Sequence, residues 1–95
     1  MNLEEVKNYR DSLINIALSN NADRIRVFGS VARNEANAGS DLDLLVKFNK
    51  KASYFDMVRL NRSLEELLKC KVDVVSEDAI KDSYANYILL DARDI

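Results

Sequence analysis

The chain of 95 residues has no histidine, no proline, one cysteine and two glycines. Without an imidazole, a Ser-His-Asp triad, a histidine general acid and a histidine-ligated zinc site are all excluded. What remains is carboxylate chemistry. Cys70 has no second cysteine with which to form an internal disulfide, and between Lys69 and Lys71 it reads as an inert, partly buried side chain. No apolar run approaches the roughly 20 residues of a membrane helix. The opening residues, MNLEEVKNYR, lack the basic-then-apolar layout of a signal peptide. A cytoplasmic protein with no membrane partner is therefore expected. An excess of positive charge is missing too: 14 basic side chains face 16 acidic ones, for a net charge of -2. Such a surface is not built to hold a long polyanion by releasing counterions, so a nucleic-acid substrate is disfavoured.

At 47% hydrophobic and 32% charged, the chain has the composition of one small domain over residues 1–95, with room for a single core. Helical and strand signals alternate along it. Asn2 and Glu5 have capping-box spacing, and Leu3, Val6, Leu13, Ile16 and Ala17 share one helical face, which predicts a first helix closed around SNNAD. RIRVF alternates with Ile25 and Val27 on one side, a strand that ends at Gly29. SVARNEANA is compatible with a short helix ended by Gly39. DLDLLVKF puts Leu42, Leu44, Val46 and Phe48 on one face and Asp41, Asp43, Leu45 and Lys47 on the other. Ser53 can cap a helix carrying Met57, Leu60, Leu64, Leu67 and Leu68. KVDVVS is a third strand, and a helical stripe of Tyr84, Tyr87, Ile88 and Leu90 follows. This order implies a small sheet covered by helices.

Aspartate is depleted from strands, yet Asp41 and Asp43 open one, two residues apart and on the same face. Their α-carbons stand about 7 Å apart, near enough for both carboxylates to reach one ion. Repulsion between them is relieved by a proton or a cation, and oxygen ligands without histidine or cysteine favour magnesium or manganese. Gly29 and Ser30 lie where a strand turns into a helix, where free N–H groups suit a phosphate and a serine hydroxyl adds a donor or a cap. If the third strand lies beside the second, Asp73 joins the pair, and three carboxylates can surround two ions. Asp41 and Asp43 would be shared ligands, while Asp73 would complete one ion's shell and take the acceptor's proton. Each residue also fits a plainer role. Asp41 and Asp43 fit solvent-facing strand positions, Asp73 fits an edge-strand charge, and Arg33 fits a solvated helix charge.

GS, then ten residues, then DLD, with a later strand aspartate in VDVV, resembles the minimal nucleotidyltransferases of the polymerase-beta-like superfamily. The pattern is most similar to the MntA-type antitoxins, which that family pairs with HEPN ribonuclease toxins. The resemblance runs from Arg26 to about Ser76, and its layout covers most of the chain. It implies an α+β fold, a small mixed β-sheet flanked by helices in the palm-like nucleotidyltransferase manner. It also implies transfer of AMP from ATP to a tyrosine hydroxyl of the toxin, with pyrophosphate released. Carried over by position, Gly29 and Ser30 would hold the triphosphate, with Arg33 matching a basic residue frequent after GS. Asp41, Asp43 and Asp73 would bind two Mg2+ ions, with Mn2+ as a substitute. Where many relatives have ARGE this chain has ARNE, with Asn34 in place of glycine.

Larger transferases use extra domains to grip the acceptor, so a partner protein is expected to help enclose this site, in a hetero-oligomer with the toxin. The tail from Tyr84 to Ile95 is a candidate docking surface. Two other activities fit the same residues: a small-molecule adenylyltransferase of the antibiotic-modifying kind, and an antitoxin that acts by binding alone.

Overall fold

The computed structural model describes residues 1–37, 39–80 and 82–95. Helices α1 (Leu3–Asn8) and α2 (Arg10–Ser19) lead into strand β1 (Ala22–Phe28), the one-turn helix α3 (Gly29–Ala32) and strand β2 (Leu42–Phe48). Helix α4 (Tyr54–Leu68), strand β3 (Val72–Ser76), a 3-10 turn (Glu77–Ala79), helix α5 (Asp82–Asp91) and strand β4 (Arg93–Asp94) complete the chain.

The sheet runs β3-β2-β1-β4. β1 is antiparallel to β2 and to β4, whereas β2 and β3 are parallel and joined through α4. The sheet is therefore mixed, as the resemblance implied. Val27, Leu42, Leu44 and Val46 on one face pack with Val6, Leu13, Leu60 and Leu64, all buried. Truncating Leu64 to alanine in such a core costs about 2–5 kcal/mol. α4 forms where its spacing placed it. Ser53 and Asp56 close a capping box on its first turn, a device worth about 1 kcal/mol, and Lys69 ends it in the left-handed region at φ 56°.

Three expectations need correction. The Asn2–Glu5 capping box is present, but the first helix is two: it breaks at Tyr9, whose N–H turns back to the Val6 carbonyl at 3.0 Å. Lys7, Asn8, Tyr9 and Arg10 are all exposed, so no apolar contact holds the helix straight there. The helix expected through SVARNEANA stops at Ala32. Asn34 takes φ 60°, its N–H bonds the Val31 carbonyl and the Glu35 N–H bonds Ser30, a Schellman closure. Asn34, where ARGE has glycine, thus takes the left-handed conformation that glycine adopts most readily. Gly39 ends no helix. It sits in a local turn in which Asn37 and Ser40 bond each other.

The second sheet face is itself partly covered. Leu45, on the aspartate side of β2, is fully buried. Beside it Arg26 pairs with Glu77 of the 3-10 turn, so the inner part of this face is covered. The tail is helical over Asp82–Asp91, but Arg93 and Asp94 return to the sheet against Val27 and Arg26 as β4. Tyr87 and Leu90 are exposed, while Ile95 packs on the core. The Tyr84 side chain, named for the docking surface, lies outside the described residues. Among the described residues no helix is long and apolar enough to cross a membrane.

Candidate active site

The antiparallel register sets Phe28, the last residue of β1, opposite Asp43, and the parallel register sets Asp43 opposite Asp73. Partners in a ladder share a face, so Asp43 and Asp73 lie side by side at the end of the sheet where β1 turns into α3. Asp41 precedes β2 by one residue, half-buried, with Lys71 Nζ 4.0 Å from its Oδ2. Asp43 is half-buried and Asp73 exposed.

Gly29 closes this corner. It has φ +74°, and a Cβ built on it would stand 2.3 Å from Asp43 Oδ2 and 3.2 Å from Asp43 Cγ. Any side chain would meet the carboxylate, so glycine serves both the backbone turn and the close approach. Ser30 follows inside α3. The cap of that helix is Phe28, and no side chain bonds the first turn. Ser30 is therefore not the cap, and among the described residues the N–H groups of the turn have no partner. With one turn α3 carries little dipole, so these N–H groups are what the turn presents.

Burial is the main force raising the Asp43 pKa, followed by the charges of Asp73 and Asp41, with Arg33 acting in the opposite sense. The three aspartates thus share one electrostatic environment. Arg33 lies near enough to act on Asp43, but its guanidinium is engaged by Glu35 at 3.0 Å and by Asp91 of α5. The sequence carried no signal of the Asp91 contact, because 58 residues separate the pair. Arg26 was also missed as a support beneath the site. The alternation in RIRVF did place it on the aspartate side of the sheet, where burial lowers its pKa and it holds Glu77.

The donors here are carboxylate oxygens alone, and among the described residues neither Asp43 nor Asp73 has a direct cationic partner, which suits a hard divalent cation. Among the described residues, no three acidic side chains already converge at ligating distance. Other side chains have structural roles. Lys47 pairs with Asp78, Arg59 pairs with Asp56, and Cys70 is partly buried, its thiol pKa raised by burial.

Residues 7–95 match the family described as nucleotidyltransferase domain, and the chain belongs to that family. A relative from Methanocaldococcus jannaschii, named as a candidate protein adenylyltransferase, is 40% identical over all of this chain and 99% of its own length. The protein adenylyltransferase MntA of Thermococcus cleftensis is 40% identical over 68% of this chain and 66% of its own. Among solved structures, one of a candidate minimal nucleotidyltransferase superposes with a TM-score of 0.89 at 40% identity, covering 100% of this chain and 97% of that one. An MNT antitoxin in complex with the tri-AMPylated HEPN toxin of Shewanella oneidensis shares the fold, with a TM-score of 0.69 at 17% identity over 93% of this chain and 69% of that one.

Proposed function

We propose that residues 1–95 act in the cytoplasm as one minimal, metal-dependent nucleotidyltransferase domain, an antitoxin that transfers AMP from ATP to a tyrosine hydroxyl of a HEPN-type partner toxin. The observation that carries this reading is the corner itself. Asp43 stands opposite Asp73, with a proton affinity raised by burial and by both neighbouring carboxylates, and a glycine is pressed against it. The names of the Thermococcus relative and of the Shewanella complex support the choice of AMP and of a protein acceptor.

In this reading Asp41 and Asp43 would hold two Mg2+ ions, or Mn2+, and Asp73 would complete the set. Bound ions would neutralise charge on the polyphosphate and polarise the reacting phosphate. The open N–H groups at Gly29 and Ser30 bind and orient the triphosphate. Arg33 adds a phosphate contact on exchanging Asp91 for the nucleotide. The tyrosine oxygen forms a bond to the α-phosphorus while the bond from that phosphorus to the α-β bridging oxygen breaks. Pyrophosphate leaves, and the hydroxyl proton passes to the Asp73 carboxylate.

The test is the double variant D41N/D43N, incubated with ATP, Mg2+ and the partner. Intact mass should show AMP on the partner with the wild type and none with the variant. Labelling that persists in the variant overturns the metal assignment. Neutralisation without labelling assigns the chain to binding alone.

A further inference from the structure

β3 is the outermost strand on its side of the sheet, and it carries Asp73. The Leu42 N–H bonds the Lys71 carbonyl, so in the parallel ladder the backbone groups of Lys71, Asp73 and Val75 turn toward β2, while those of Val72 and Val74 turn outward. The Val72 N–H is taken by the Glu65 carboxylate at 3.0 Å. The outward groups of Val74 have no such partner among the described residues. Below this edge runs a cleft of about 390 Å³, walled on the helix side by one stripe of α4 that includes Tyr54, Met57, Val58 and Arg62. The stripe is apolar toward the start of the helix, where Tyr54 is 76% exposed and Val58 36%.

We propose that this edge and its cleft are the docking site of the acceptor: an extended polypeptide segment adds to β3 as a fifth strand. The proposal rests on the protein-acceptor reading above and specifies how that acceptor is held. Cross-strand partners share a face, so an acceptor residue set opposite Asp73 lies on the carboxylate side of the sheet, about 5 Å from Asp73 between β-carbons. That is within the reach of a tyrosine ring. Its neighbours along the segment, opposite Val72 and Val74, point to the other face and into the cleft, whose apolar part is Tyr54, Met57 and Val58. One segment thereby presents a hydroxyl to the site and anchors itself by apolar side chains, with main-chain bonds to Val74 fixing the register. The geometry selects a segment in which apolar residues flank the hydroxyl-bearing one. Asp73, alone of the three aspartates, lies on an open edge, so the docking strand and the reacting rim are continuous.

The experiment uses the full chain and the HEPN-type partner. Hydrogen exchange of the complex without ATP should slow at the Val74 amide, with exchange at Leu18, an exposed residue of α2, unchanged. V74P removes one outward donor without touching the β2 ladder, and V58E sets a charge in the cleft. Each should raise the KM for the partner about tenfold, with ATP affinity and the thermal unfolding profile kept as controls. If V74P unfolds, V58E and the exchange measurement decide alone. Absence of a complex, unchanged exchange at Val74, or a folded V58E with wild-type KM overturns the proposal. Protection at Val74 without AMP transfer by the wild type supports the docking strand and overturns the proposed reaction.

Discussion

Two aspartates withdrawn from solvent, Asp43 and Asp56, behave in opposite ways. Asp56, at the start of α4, accepts from the Ser53 N–H at 2.9 Å and from Asn21 Nδ2 at 3.2 Å, and it pairs with Arg59. These bonds hold its pKa below the usual carboxylate value, the Ser53 N–H first among them. Arg59 reaches on to Asn20, so the group ties the ends of α2 and α4 to the start of β1. Asp43 has the reverse environment, with two carboxylates as neighbours and a pKa pushed up. A fold gains stability from the first arrangement and loses it in the second. A carboxylate retained at a sheet corner beside two others, with Arg33 acting only at a distance and no ion pair among the described residues, points to a ligand that supplies the compensation.

The largest effect that sharpens this contrast is at Asp43. D43N should lower AMP transfer by about three orders of magnitude, the loss expected when several kcal/mol of charge stabilisation goes. The same variant should unfold at a higher temperature than the wild type in the absence of nucleotide. A D43N protein that is inactive and also less stable would break the comparison. G29A comes next. Its Cβ meets Asp43 Oδ2 and its backbone is held at φ +74°, so transfer should fall roughly a hundredfold with a drop in melting temperature. Assays of transfer and melting on one preparation check both.

At the other aspartate, D56N should lower the melting temperature while transfer per folded molecule is unchanged. The pH dependence separates the two sites. Because the Asp56 pKa is lowered on folding, its stabilisation is present above the unfolded pKa and lost as pH falls through the folded one. The gap between wild type and D56N in urea unfolding should close on acidification. Because the Asp43 pKa is raised, the cost of its charge is absent below the unfolded pKa and fully present above the folded one. The advantage of D43N should therefore grow as pH rises through that range. Equal pH profiles would break the comparison. The smallest effect is that of R33A. Its ion pairs are exposed, so the unfolding midpoint should barely move, while affinity for ATP, read by a fluorescent analogue, weakens a few-fold.

Local chemistry was legible wherever one element contains its own reason. The Ser53 cap and the leucine stripe of α4, and the alternation of β1 and β2, can be read from neighbours a few residues apart. So can the face shared by Asp41 and Asp43. The break at Tyr9 and the early end of α3 were not. Both segments have helix-compatible residues, and the outcome turned on the exposure of residues 7–10 and on the left-handed turn at Asn34. The Asn34 closure of α3 left a trace only in the substitution of ARNE for ARGE.

The sequence by itself determined the donors and their spacing: an all-oxygen set, free of histidine, with a glycine before a serine and two aspartates one pleat apart. It could do so because side-chain chemistry and strand periodicity are local properties. Tertiary structure alone decided that β3 pairs with β2 in the register that sets Asp73 against Asp43, and that Arg33 is held by Asp91. It also decided that the two residues of β4 pair with Arg26 and Val27 at one edge of the sheet while β3 forms the other. Those outcomes join residues tens of positions apart, and the packing of α2 and α4 on the core face of the sheet selects among the pairings that local preference leaves equal.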